Sequence, residues 1–326
     1  MVDMSNLPSV SASLIDMRLT AVIYAAEGTN IYELRRPGGA PVPAFTAGAH
    51  IDVHLPNGLI RQYSLLNDQD ETHRYLIAVK RDAASRGGSA SVHDDLRVGM
   101  ILPVGKPRNH FPLVEDGAPI VLVAGGIGVT PLWSMAQRAA AIGLDWRLHY
   151  AVRTRGEAAL LSDMDAQGER VRLHEDDIAG GPVDLAGLIQ GAAPGAHLYC
   201  CGPGPMLDAF EAACAAAGIA PDHVHVERFF APPPAPTTQG FVVELVKSGI
   251  ELTVAPGETI LECARKAGLP VEASCEQGIC GACETRVLAG VPDHLDMILS
   301  DAERASNETM MICCSGSRTE RLKLDL

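Results

Sequence analysis

Up to about residue 112 the chain carries short apolar or alternating runs, "HIDVHL", "RQYSLL", "YLIAVK" and "MILPVG", set between Gly, Pro and Asn turns, with hardly any helical period. That pattern predicts an antiparallel β-barrel. From about residue 118 it changes: "PIVLVAG", "DWRLHYAV" and "HLYCCG" read as strands, and "TPLWSMAQRAAAIG" and "GPMLDAFEAACAAAG" as helices. Strands alternating with helices of this length predict a parallel sheet with crossover helices. The run "FFAPPPAPTTQG", residues 229–240, stiffens the chain and removes backbone donors, so it marks a boundary. Beyond it, "FVVELVKSGIELTVAPGETILECARKAG" reads as a hairpin and then a helix. The expected organisation is a barrel over 1–113, an α/β domain over 114–228, a linker over 229–239 and a third domain over 240–326.

Composition narrows the function classes. A formal net charge of −14 over 326 residues argues against non-specific nucleic-acid binding and against docking on an anionic membrane. The N-terminus lacks a basic start followed by an apolar run, and no 18-residue apolar span follows, so the expectation is a cytoplasmic protein. Thiols stay reduced there, and the odd total of nine cysteines fits ligands or redox centres better than disulfides.

Three of the nine lie in "SCEQGICGAC". Cys275, Cys280 and Cys283 have the spacing C-x4-C-x2-C, and Cys313 follows after 29 intervening residues, the plant-type iron-sulfur spacing. Gly278 and Gly281 open backbone conformations closed to other residues and let amides approach sulfur. Structural zinc would call for tight C-x2-C knuckles or histidine partners, and only one such pair occurs. Cys314 beside Cys313 leaves the register of the fourth ligand open. Cys200, Cys201, Cys214 and Cys263 sit in strand or helix patterns that suit small buried hydrophobes.

In "LVAGGIGVTPLWSM", Gly125, Gly126 and Gly128 stand between a strand and a helix, where glycines admit a pyrophosphate at the helix N-terminus. "YCCGPGPM" repeats the arrangement at the next crossover, with Pro203 and Pro205 fixing how the chain enters the helix. In "RQYSL", Arg61 offers a guanidinium fork for a phosphate, Tyr63 a ring for stacking and Ser64 a hydroxyl. "AVKRDAASRGGSASVHDDL" adds Lys80 and the Gly87-Gly88-Ser89 turn, a second place for the same phosphate. His50, His149 and His294 read as satisfied core or surface residues, since none has ligand spacing to another.

Taken together, these residues resemble the ferredoxin-NADP reductase superfamily, and the tail "MMICCSGSRTERLKLDL" is similar to the end of the phthalate dioxygenase reductase family. The resemblance implies a flavin on Arg61, Tyr63, Ser64, Leu65, Ala78, Val79, Lys80, Gly87, Gly88 and Ser89. It places the dinucleotide on Gly125, Gly126 and Gly128. It sets Thr130 and Pro131 between flavin and nicotinamide, with Cys201, Gly202, Pro203 and Met206 by the nicotinamide. Ser64, Thr130, Cys201, Glu227 and Phe229 would form the reacting centre, Phe229 covering the flavin face where hydride arrives.

The same resemblance makes the last segment a plant-type ferredoxin domain of β-grasp fold with a 2Fe-2S cluster on Cys275, Cys280, Cys283 and Cys313. It implies FMN rather than FAD and NADH as donor, although Arg153 and Arg155 in "VRTRGE" could suit a 2'-phosphate. The implied partner is a Rieske-type non-haem iron oxygenase acting on an aromatic acid, by ring dioxygenation or O-demethylation. A reductase for a haem-thiolate monooxygenase, or a non-catalytic redox sensor, would share many of these residues.

Overall fold

The computed structural model describes residues 14–82, 87–230 and 239–326, in one compact unit spanning Leu14–Phe229 and another taking in Phe230–Leu326. Residues 231–238 of the expected linker lie outside the described residues.

The first unit begins with six strands, β1 (Ile15–Ala26), β2 (Thr29–Arg35), β3 (His50–His54), β4 (Ile60–Ser64), β5 (Tyr75–Lys80) and β6 (Ile101–Val104), with helix α1 (Gly88–Asp94) before the last. They form one antiparallel sheet in the order β4-β3-β6-β1-β2-β5, and β4 and β5 touch across the remaining gap. Inward positions such as Met17, Leu19, Ile51, Val53, Ile77 and Val79 fill the barrel at the period-two spacing of a half-buried sheet. The β1–β2 hairpin has no counterpart among the runs picked from the sequence. Two irregularities in its pairing leave Val22, Ile23 and Tyr24 exposed in succession, which breaks the alternation.

The α/β domain follows as β7 (Ile120–Gly125), α2 (Val129–Ala141), β8 (Trp146–Val152), α3 (Leu161–Asp165), β9 (Val171–Glu175), α4 (Asp176–Ala179), α5 (Leu185–Gln190), β10 (His197–Cys201), α6 (Gly204–Ala216) and β11 (Val224–Glu227). All pairings are parallel, in the order β11-β10-β7-β8-β9. Every residue of β7 is buried, as expected of a strand covered on both faces.

The second unit contains β12 (Phe241–Leu245), β13 (Ile250–Val254), α7 (Ile260–Lys266), β14 (Glu284–Ala289), β15 (Pro292–Asp293), α8 (Asp301–Ser306), β16 (Thr309–Met311), β17 (Gly316–Ser317) and β18 (Arg321–Leu324). The β12–β13 hairpin, the α7 crossing and β18 parallel to β12 make a β-grasp sheet, ordered β13-β12-β18-β14-β16. Capping boxes start α7 at Thr259 with Glu262 and α8 at Ser300 with Glu303. The architecture is thus the barrel and parallel sheet that the pattern predicts, with the β-grasp domain that the resemblance implies. Among the described residues no helix is long and apolar enough to cross a membrane.

Candidate functional site

The order of the parallel sheet reverses between β7 and β10, and ligands of doubly wound sheets bind in the crevice beyond the strand ends at such a point. Both glycine turns fall there, and they interlock. A Cβ on Gly128 would lie 2.2 Å from the Cys201 carbonyl oxygen, and one on Gly125 would lie 2.6 Å from the Met206 sulfur and 2.7 Å from Pro203 Cδ. Gly202 would meet Gly125 Cα at 3.0 Å. Gly126 differs, at φ 53 with nothing within 4 Å of its missing Cβ, so its backbone is open to a pyrophosphate. Thr130 Oγ1 donates to the Ile127 carbonyl at 3.0 Å, and Thr130 and Pro131 are buried in the first turn of α2.

Strand register places Glu227 opposite Cys201. Burial pushes the Cys201 thiol well up, so it is a neutral thiol at neutral pH. Glu227 as a residue is half-buried, yet its Oε2 is sealed from solvent and has no hydrogen-bond partner. Desolvation raises its carboxyl to about 8, and the sealed oxygen is what governs that titration. The strand end therefore presents a neutral, under-satisfied acid beside a neutral thiol. Phe229 packs against the core cluster that contains Val129 and Cys201.

On the barrel side, β4 carries Arg61, Tyr63 and Ser64. A Cβ at Gly88 would lie 2.4 Å from Arg61 Nε, so the arginine side chain rests on the first turn of α1. Gly87 takes φ 85, and the Ser89 hydroxyl accepts from the Asp82 amide at 3.1 Å. Guanidinium and helix-start amides thus share one spot, which suits a phosphate. Burial pushes the Tyr63 phenol above its ordinary range, Ser64 is buried, and the Leu65 amide donates to the Ala49 carbonyl at 2.8 Å. Ala78 and Val79 are buried on β5.

Lys80, expected among the flavin-binding residues, is engaged within the protein. Its ammonium lies 2.5 Å from the Glu157 carboxylate, and the Glu27 amide donates to the Gly156 carbonyl at 2.8 Å, so these contacts tie the barrel to the loop after β8. Glu157, 77 residues away, carried no local signal in the sequence. Nor did the second tie, in which Ser134 Oγ and Gln137 Nε2 of α2 donate to the Asn67 and Leu66 carbonyls at 3.1 and 2.8 Å, just beyond "RQYSL". Arg155 is engaged by Glu175 at 3.2 Å.

In the second unit, Glu276, Gly278 and Gly281 take φ of 54, 72 and 68, which turns loop amides towards sulfur. The Gln277 amide donates to Cys275 Sγ at 3.3 Å, and those of Ile279 and Ala282 also reach thiols of the loop. Cys275 Sγ lies within hydrogen-bonding reach of the Cys280 and Cys313 thiols. Pairing of β14 with β16, Glu284 opposite Met311, brings the distant Cys313 segment to Cys283. Among the described residues no group of three or more His, Cys, Asp or Glu side chains is gathered so as to hold a single metal ion. A wrapped set of thiols with amides aimed at them fits an iron-sulfur cluster. Two histidines are not satisfied as expected: His50 Nε2 and both ring nitrogens of His294 are buried without hydrogen-bond partners, His294 lying 3.6 Å from Asp296.

A nucleotide switch point, a phosphate cradle on an antiparallel barrel and a cysteine loop on a β-grasp domain define a flavin iron-sulfur reductase. Residues 243–317 match the 2Fe-2S iron-sulfur cluster binding domain family. Phenoxybenzoate dioxygenase subunit beta of Ectopseudomonas oleovorans is 52% identical over 96% of this chain and 97% of its own. The solved structure of phthalate dioxygenase reductase is 37% identical at a TM-score of 0.70, over 96% of this chain and 98% of that one. An intact type IV self-sufficient cytochrome P450 monooxygenase is 39% identical at a TM-score of 0.89, over 96% of this chain, which spans only 41% of that longer one. The chain belongs to the phthalate dioxygenase reductase family. It is an oxidoreductase with a 2Fe-2S domain, and the solved reductase it resembles is described as passing electrons from pyridine nucleotides to [2Fe-2S].

Proposed function

We propose that the protein is the cytoplasmic reductase of a Rieske-type non-haem iron oxygenase system acting on an aromatic acid, with FMN as its flavin. The observation that carries this reading is one chain that joins an interlocked nucleotide turn, a phosphate cradle and a four-thiol loop. When bound, the flavin takes up a hydride's electron pair and the cluster passes electrons on singly. Residues up to 113 are assigned to the flavin, 114–228 to the nucleotide and 240–326 to the cluster, held by Cys275, Cys280, Cys283 and Cys313.

The chain's own part is binding and orientation. Arg61 and the start of α1 hold the flavin phosphate, Tyr63 and Ser64 meet its ring, and Gly126 and Gly128 admit the pyrophosphate. Glu227 keeps a proton at neutral pH, and its unpaired oxygen offers a partner to a bound ring. An anaerobic NADH titration followed by visible absorption and low-temperature electron paramagnetic resonance tests the reading. Flavin bleaching with a rhombic reduced-cluster signal is expected; bleaching without that signal in iron-replete protein refutes it.

Two expected results bear on the site and the partner. Because the carboxyl of Glu227 titrates near 8 when folded and near 4.5 when unfolded, the native state holds the extra proton, and its stabilising effect fades as pH rises from 4.5 to 8. Activity should fall through an apparent pKa near 8, and Glu227→Gln should flatten both profiles. A retained limb near 8 in the variant would assign it to another group. Separately, the charge of −14 implies docking on a basic patch, so electron delivery to the oxygenase should slow as salt rises. A rate flat in ionic strength would remove that argument.

A second reading rests on the TM-score of 0.89 to the self-sufficient P450: service to a haem-thiolate monooxygenase. Turnover with each purified oxygenase type separates the two.

A further inference from the structure

Thr130, Ser134 and Gln137 recur along α2 at i, i+4 and i+7, so they line one stripe of that helix. Ser134 is 0% exposed, and its hydroxyl donates to the Asn67 carbonyl at 3.1 Å. One turn further, Gln137 Nε2 donates to the Leu66 carbonyl at 2.8 Å. Two polar side chains on the inner face of α2 are thus directed at the consecutive carbonyls that follow "RQYSL". The receiving chain is itself fixed. The Leu65 amide donates to the Ala49 carbonyl at 2.8 Å, the Leu66 amide to the Leu76 carbonyl at 3.0 Å, and Asn67 Oδ1 accepts from the Leu76 amide at 2.9 Å. Between the two donors, Met135 presses on the barrel, where a Cβ on Gly48 would lie 2.9 Å from its Cε.

Ser64 stands three residues before Asn67, and Thr130 one helical turn before Ser134. The staple therefore joins the strand assigned to the flavin directly to the helix that starts at the dinucleotide turn. Each of those groups is held from its own side, so a shift of α2 against the barrel changes the meeting of the two rings more than the affinity for either. We propose that Ser134 and Gln137 are positioning residues for hydride transfer. By clamping α2 to the chain after Ser64, they keep the nicotinamide, which gives up the hydride, in register with the flavin, which receives it. The inference rests on the assignment of flavin to "RQYSL" and of dinucleotide to the Gly125–Gly128 turn.

Three variants of the full-length holoprotein test this: Ser134→Ala and Gln137→Met, which remove one donor each, and the double variant. Anaerobic stopped-flow bleaching of the flavin across a range of NADH concentrations separates the limiting rate of flavin reduction from Kd. Long-wavelength charge-transfer absorption, on adding NAD+ to the reduced protein, reports ring stacking without turnover. In the double variant the limiting rate should fall at least about tenfold, and in each single variant about threefold, inside the roughly 100-fold that a misplacement of about 1 Å can cost. The charge-transfer band should weaken in the same order. Kd for NADH and flavin content should stay within about twofold of wild type, because neither binding surface loses a contact.

A raised Kd at an unchanged limiting rate would mean that the staple shapes the dinucleotide turn rather than the register, and would overturn the proposal. Loss of flavin would do the same, by making the staple a support of the barrel. A lower urea midpoint with wild-type rate and band would reduce both residues to packing. The single variants decide the matter if the double variant does not fold. Wild-type protein that NADH fails to bleach would overturn the functional reading itself, whereas bleaching in wild type and variants alike overturns only the positioning role.

Discussion

Cys280→Ser is expected to reduce ferricyanide with NADH at close to the wild-type rate while losing one-electron delivery to a protein acceptor such as cytochrome c. The loss should exceed the roughly 100-fold that changes to the groups supporting a metal's ligands cost, because a proposed ligand itself is removed. The separation of effects follows from the architecture. Leu14–Phe229 and Phe230–Leu326 are distinct compact units with their own apolar cores, so damage at a buried thiol of the second leaves the nucleotide turns of the first intact. Within its own unit Cys280 is 3% exposed, beside the Cys275 thiol and a loop amide. Stopped-flow kinetics with both acceptors checks this. Loss of both activities would mean that the cluster unit supports the flavin site, and loss of neither would take these thiols off the electron path.

What the sequence revealed and what it hid divide by distance along the chain. The loop from Cys275 to Cys283 is legible because ligand spacing and two glycines sit within nine residues, whereas "RQYSL" stood out only through its likeness to a family motif. The glycines at 125, 128 and 202 announce turns, but only the fold shows that they are bare because two turns press together. The ion pair of Lys80 with Glu157 was hidden because the partner lies 77 residues away. The β1–β2 hairpin was hidden by three exposed apolar residues in a row, and α3, α4 and α5 are too short, at four to six residues, to show a helical period. His294 seemed an ordinary satisfied histidine because burial without a partner is a property of packing alone.

The interlock of the two turns has the other large consequence. Gly128 takes φ −61, a conformation that alanine adopts freely, so Gly128→Ala brings no backbone strain. Its cost is steric: the new methyl would lie 2.2 Å from the Cys201 carbonyl oxygen and 2.8 Å from the Gly202 amide, both backbone atoms that cannot rotate aside. Relief requires β10 and its turn to move away from β7, which breaks the parallel pairing of His197–Cys201 with Ile120–Ala124 at its carboxyl end. Overpacking of this kind costs about 3 kcal/mol, and the displaced turn carries Cys201 and the residue opposite it, Glu227. Urea unfolding should therefore show the first unit destabilised by about that amount, with KM for NADH raised at least tenfold, roughly the effect of 1.4 kcal/mol lost in binding. Gly126→Ala is the contrast, since that residue is at φ 53 but in open space. Its expected cost is about 1 kcal/mol from the left-handed backbone, with the larger effect on KM, where the methyl meets the pyrophosphate. Equal destabilisation by the two variants would show that turn conformation, rather than contact between the turns, shapes the nucleotide site.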